Sequence, residues 1–212
     1  MRNPQNITDI AALNPDYLGF IFYEKSKRYV GEDFDEAATY HLPTEKSPRF
    51  RDTAGQAKGI KKIGVFVNAS MEYVLSKVKR YGLDLVQLHG EESPEFCRDL
   101  QRNNIPVIKV FAVGQTFDFS VLEPYKPHCN YFLFDTKGKE KGGNGMVFNW
   151  EVLKDYDNEK PFFLSGGLSL ENVGKVKELQ GLNIVAIDVN SGFEVAPALK
   201  DVEKVKQLMQ VI

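Results

Sequence analysis

What this chain has little of narrows it first. It carries two cysteines, Cys97 and Cys129, too few for a disulfide framework and not at a metal-binding spacing. Its three histidines, His41, His89 and His128, are scattered, which argues against a zinc site, and no metal is expected. It has no excess of positive charge: 27 Lys and Arg stand against 29 Asp and Glu, for a formal net charge of −2. Nothing therefore calls for a basic face that neutralises phosphates, and no nucleic-acid partner is expected. No apolar run approaches the length of a membrane span, so no membrane partner is expected either. The polar start "MRNPQNITDI" lacks the apolar core of a secretory signal, and the expected location is the cytoplasm. A Gly-x-Gly-x-x-Gly turn after the first strand is also missing, which weakens a dinucleotide-binding open sheet.

What is present is the makeup of an ordinary globular protein, 42% hydrophobic and 26% charged over 212 residues. Short apolar runs recur at 17–23, 62–68, 85–90, 107–113, 131–136, 162–167 and 184–192. Each is nearly continuous, as parallel strands buried on both faces require. Helical patterns lie between them. Met71, Val74, Leu75 and Val78 repeat at helical spacing, with Ser70 placed to cap and Gly82 to terminate. Ser93-Pro94-Glu95 reads as a cap with Pro at the first helical position. Helices are also expected after Asn149, Ser169 and Asp201, and over "NPQNITDIAAL" before the first strand. Residues 31–60 read as a long loop or a helix at "DFDEAATYHL". No linker or composition break divides residues 1–212, which form a single domain. The alternation points to α/β architecture, and the even rhythm with small residues at strand tips favours a (β/α)8 TIM barrel.

In such a barrel the active residues sit at the C-terminal ends of the strands. Those ends carry Arg28, Asn68, His89, Val113, Asp135, Gly166 with Gly167, and Asp188 through Gly192. "LSGGL" and "DVNSGFE" end the last two strands, where glycines expose backbone N–H groups and this fold places its phosphate cradle. The same glycines would also serve as tight turns alone. Asp135 has two readings. It caps the next loop or pairs with Lys137, or it faces an apolar mouth where desolvation favours the protonated carboxyl and suits a proton donor. The loop behind it, with Gly142, Gly143 and Gly145, is a candidate lid. His89 either shapes the pocket or meets the substrate.

"GFIFYEKSKRYV", "KIGVFVN", "VQLHGEESPEFC", "FDTKGKEKGGNGMVFNW", "FFLSGGLSLENV" and "IDVNSGFEVAPALKD" follow one another as in phosphoribosylanthranilate isomerase of tryptophan biosynthesis. The resemblance covers nearly the whole chain and implies a single barrel domain. It implies an Amadori rearrangement of N-(5-phosphoribosyl)anthranilate to 1-(2-carboxyphenylamino)-1-deoxyribulose 5-phosphate, with no cofactor. Asp135 matches the general acid that protonates the ribose ring oxygen. Arg28 matches the arginine that grips the anthranilate carboxylate, a task suited to a bidentate guanidinium. His89 and Asp188 are further substrate-binding candidates, and Gly166, Gly167, Ser191 and Gly192 match the phosphate site. The partner is a phosphorylated small molecule, and the protein is expected to be a monomer or homodimer.

Three departures stand out. Met1 aligns just after the family's Cys-Gly, so the first strand and its general-base cysteine are expected to be absent, leaving two unpaired strand edges. Cys129, some six residues before Asp135, lies roughly 20 Å from the mouth at about 3.3 Å per residue, and Cys97 belongs to the outer helices. Asn190 and Phe193 replace the usual Ser and a smaller aliphatic residue. The alternative to the isomerase is a non-catalytic barrel that binds a phosphorylated ligand. A favourable helix N-terminus is expected beyond residue 192.

Overall fold

A computed structural model describes residues 1–32, 34, 42, 59–136 and 150–212. Among them, seven parallel strands pair in sequence order: β1 (Tyr17–Ile21), β2 (Lys61–Phe66), β3 (Leu85–Leu88), β4 (Val107–Val113), β5 (Tyr131–Thr136), β6 (Phe162–Ser165) and β7 (Ile184–Asp188). β1 and β7 are the two ends of this order, and Val185 on β7 is exposed. The curled sheet is that of a (β/α)8 barrel lacking one strand. Five of the expected runs extend past the C-terminal ends of their strands, because pairing ends where the tips turn into loops.

Among the described residues, four α-helices accompany the sheet: α1 (Pro4–Ala11), α2 (Met71–Tyr81), α3 (Pro94–Arg102) and α4 (Val202–Val211). Ser70, Ser93 and Asp201 cap the last three through their side chains, and Gly82 ends α2 with φ +56°. The helix expected after Ser169 is shorter and differently made. A 3₁₀ turn covers only Val173–Glu178, because the Asn172 side chain accepts from Ser169 N–H and Gly174 weakens an α-helix there. A further 3₁₀ segment, Phe119–His128, joins β4 to β5, where no helix was expected; Pro124 and Pro127 within it oppose a regular α-helix. No α-helix starts directly beyond residue 192; the next one is α4. Ser191–Phe193 form one 3₁₀ turn, followed by the hairpin β8 (Glu194–Ala196) and β9 (Leu199–Lys200). The helix expected after Asn149 is likewise a 3₁₀ segment, Trp150–Asp155, while the readings for "DFDEAATYHL" and the candidate lid fall outside the described residues.

Alternation along the strands builds two cores. The outer one packs sheet against helices and contains Phe20, Phe66, Phe132, Phe134, Phe162 and Phe193, all fully buried. Truncating one of these rings to Ala costs about 3–5 kcal/mol by transfer and cavity terms. The inner one, Ile63, Val65, Leu85, Ile108, Val110, Leu133 and Phe163, fills the hollow of the sheet and forms the floor on which the mouth rests. No helix among the described residues is long and apolar enough to cross a membrane.

Candidate active site

Register places three polar residues side by side at the C-terminal end of the sheet. Asp135 on β5 is opposite Ser165 on β6, which is opposite Asp188 on β7. Residues level with one another on parallel strands point to the same face, so the three form one row. Two positions earlier on each strand lie Leu133, Phe163 and Ala186 of the inner core, and the row therefore sits on an apolar floor. Ser165 donates to Asp188 Oδ2 at 3.3 Å. His89, at the tip of β3, brings Nε2 to 3.7 Å from Asp135 Oδ2, beyond a hydrogen bond but close enough for a charge interaction. Close protein surroundings push the Asp188 carboxyl above the ordinary carboxylate range, against the opposing effects of the Lys200 charge and the Ser165 hydrogen bond.

Arg28 reaches the same mouth. The chain after β1 folds back on itself, with Val30 N–H donating to Ile21 O at 3.0 Å and Arg28 N–H to Ser26 Oγ at 3.1 Å. The guanidinium meets Glu194 on β8, with Nε at 3.0 and 2.9 Å from the two carboxylate oxygens and Nη2 at 2.6 Å. Lys200 on β9 donates to Val189 O and Asn190 Oδ1, each at 2.9 Å, and lies 3.4 Å from Glu194 Oε1. Burial alone would raise the Glu194 carboxyl, but the Arg28 hydrogen bond and the Lys200 and Arg28 charges outweigh it and hold it below the ordinary range. A depressed carboxyl contributes stability above its unfolded pKa and loses it as pH falls through the folded one. The stability gap between wild type and Glu194→Gln, read by urea denaturation, is therefore expected to narrow as pH is lowered below the ordinary carboxylate range. A gap that stays constant into acid would show that Glu194 does not act through its charge.

The two glycine turns meet. Gly166 and Gly167 adopt φ +94° and +62°, values that favour residues without a Cβ. Gly192 packs so closely on the neighbouring loop that a Cβ there would lie 2.5 Å from Leu168 O. The ends of β6 and β7 thus converge. Asn190 accepts the Lys200 bond described above, and Phe193 is fully buried in the outer core. These roles suit the two residues by which the loop departs from the family pattern.

Arg28, His89, Asp135 and Asp188, with the glycines of both turns, line one cavity of about 1230 Å³, which continues down along β1 and β7 past Gly19 and Ala186. Ser191 lines it too, whereas Asn68 and Val113, also at strand ends, do not. Gly142, Gly143 and Gly145 fall outside the described residues. Neither cysteine faces the cavity. Cys97 and Cys129 are buried in the outer core, where the hydrogen bond to Cys97, together with burial, pushes the Cys129 thiol up. Among the described residues no group of three or more His, Cys, Asp or Glu side chains is placed to hold a metal ion.

Sequence reasoning missed four contributors. Glu194 and Lys200 lie at the end of a run quoted for its glycines, and only their antiparallel pairing brings them together. Lys109 and Glu92 form an ion pair of 3.2 Å behind His89, each 3% exposed. A lysine inside an otherwise apolar strand, "VIKVF", was the available signal for this pair.

The model of the family described as N-(5'-phosphoribosyl)anthranilate (PRA) isomerase matches residues 1–211. The N-(5'-phosphoribosyl)anthranilate isomerase of Parabacteroides distasonis is 42% identical over 212 residues, covering 100% of this chain and 90% of that protein. That of Phocaeicola vulgatus is 41% identical over 201 residues, covering 95% and 89%. Among solved structures, phosphoribosyl anthranilate isomerase from Thermotoga maritima superposes with a TM-score of 0.82 at 32% identity, covering 99% of this chain and 94% of that one. Another structure of the enzyme, in complex with reduced 1-(o-carboxyphenylamino)-1-deoxyribulose 5-phosphate, superposes with a TM-score of 0.77 at 29% identity. The chain belongs to the N-(5'-phosphoribosyl)anthranilate isomerase family.

Proposed function

We propose that this protein catalyses the Amadori rearrangement of N-(5'-phosphoribosyl)anthranilate in tryptophan biosynthesis, acting as a monomer or homodimer. The observation that carries the reading is the convergence of one proton-donor candidate, one guanidinium and two glycine turns on a single cavity. The phosphate rests against backbone N–H groups of Gly166, Gly167, Ser191 and Gly192, three of which carry no side chain. The anthranilate carboxylate meets Arg28. Asp135 gives its proton to the ribose ring oxygen; the C–O bond breaks and the nitrogen lone pair forms the Schiff base. A base then takes the proton from carbon 2, the freed electron pair neutralises the iminium to give an enolamine, and this tautomerises to the aminoketose. The family resemblance gives that second step to a cysteine, and neither Cys97 nor Cys129 is placed for it.

Loss of the substrate's fluorescence on mixing the protein with phosphoribosylanthranilate would bear out the reading and show that a group other than Cys97 and Cys129 takes the carbon-2 proton. Binding without turnover would favour the non-catalytic phosphate binder. A separate measurement tests the cradle. Gly192→Ala forces the two loops apart, and a hydrogen bond to a charged group is worth about 1.5–3 kcal/mol, so affinity for inorganic phosphate should fall roughly tenfold or more. Unchanged phosphate affinity in that variant would move the phosphate elsewhere.

A further inference from the structure

Arg28 and Glu194 are not matched as a pair by anything the reaction demands. A carboxylate already bonded to the arginine would be expected to compete with a substrate carboxylate for it. The geometry resolves this. Glu194 takes the guanidinium from the side, through Nε and Nη2. Nη1 has no acceptor among the described residues within hydrogen-bond distance, and Arg28 lines the cavity. A guanidinium has five N–H donors in a rigid fork, so a side-on carboxylate leaves the end-on pair of N–H groups available. The Glu194 side chain is 4% exposed, whereas that of Arg28 is 26% exposed. The carboxylate is thus the fixed partner, and the guanidinium is the one that reaches the open space.

Glu194 is itself held. Its strand pairs with β9, which sets Glu194 opposite Lys200. Lys200 is anchored at the backbone by Asn6 of α1, which donates to Lys200 O at 2.9 Å and accepts from Lys200 N–H at 2.8 Å. The Lys200 ammonium then spans from Glu194 Oε1 to Val189 O and Asn190 Oδ1 of the glycine turn. Glu194 thus sits between two cations, Arg28 and Lys200.

We propose that Glu194 is a positioning residue for carboxylate recognition: it clamps Arg28 side-on so that the free end of the guanidinium faces the cavity, and through Lys200 it ties this fork to the loop carrying Asn190, Ser191 and Gly192. The inference rests on the assignment of Arg28 to the anthranilate carboxylate. It predicts that a side chain without its own substrate contact controls discrimination between ligands that carry this carboxylate and ligands that lack it. An arginine free to rotate would lose that discrimination, because its ordering would have to accompany each binding event.

The probes are reduced 1-(o-carboxyphenylamino)-1-deoxyribulose 5-phosphate and the same compound with hydrogen in place of the carboxyl group. Calorimetric affinities for both are compared in wild type, Glu194→Gln and Arg28→Met, with circular dichroism to verify folding. In Glu194→Gln the preference for the carboxylated probe should fall about tenfold, equivalent to about 1.4 kcal/mol, while affinity for the other probe stays within about threefold. Glu194→Ala should act in the same direction and serves if the Gln variant does not fold. An unchanged or increased preference would overturn the proposal, the increase meaning that Glu194 competes for Arg28. An equal loss for both probes would overturn it too, by showing a general structural role. Arg28→Met separates the two layers. If it leaves the preference intact, the assignment of Arg28 fails; if it abolishes the preference while Glu194→Gln does not change it, only the positioning role fails.

Discussion

Asp135→Asn is expected to lower turnover by a factor on the order of 10² or more while leaving the affinity for a reduced product analogue nearly unchanged, since a positioned general acid contributes that much. Asn keeps the shape and fills the same place in the row with Ser165 and Asp188, but it has no proton to give. The floor beneath, formed by Leu133 and Phe163, does not change. Separate kcat and affinity measurements decide the role. An interaction made only in the transition state lowers kcat and kcat/KM together. Near-normal turnover in the variant would remove Asp135 from the acid role, and a loss of affinity with unchanged kcat would make it a ground-state contact.

Lys109→Met is expected to destabilise the protein by about 3–5 kcal/mol, the cost of leaving one charge of a buried pair uncompensated. Lys109 projects from β4 to the helix side of the sheet, where it donates to Gly90 O at 2.7 Å and to Glu92 Oε2 at 3.2 Å. Glu92 in turn accepts from Asn68 N–H at 2.8 Å and Gly90 N–H at 3.0 Å. The pair therefore pins the tips of β2 and β3 on either side of His89. Without the ammonium, the carboxylate keeps its two amide donors but loses its counter-charge. Urea denaturation should show a lower midpoint with little change in slope. A loss below about 1 kcal/mol would mean that the pair stays solvated or that Glu92 takes up a proton at little cost. Adding Glu92→Gln should recover part of the loss, because an amide oxygen can still accept one backbone N–H.

Much of this was legible in residue order. Strands buried on both faces are written as continuous apolar runs, and each of the seven runs overlaps one strand of the sheet. Helix starts were readable where a side chain caps them, as at Ser70, Ser93 and Asp201. The reading failed where local competition decides. The turn after Ser169 is a 3₁₀ segment because Asn172 and Gly174 oppose the α-helix that the apolar spacing suggests. The site residues on strand tips were visible because fold class alone says where to look. Glu194, Lys200, Glu92 and Lys109 were not, because each acts through a partner that only the folded chain brings near. His89 was visible as a strand-tip residue, but its approach to Asp135 was not, since it joins tips 46 positions apart, 135 − 89.

The central claim is that one mouth binds a phosphorylated aminosugar with its two ends on opposite anchors. A crystal structure of this protein with reduced 1-(o-carboxyphenylamino)-1-deoxyribulose 5-phosphate tests it most directly. The phosphate should lie against the backbone N–H groups of Gly166, Gly167, Ser191 and Gly192, the carboxylate on the free end of Arg28, and Asp135 within hydrogen-bond reach of the oxygen that comes from the opened ribose ring. A phosphate bound elsewhere, or an Asp135 turned away from that oxygen, would contradict the account.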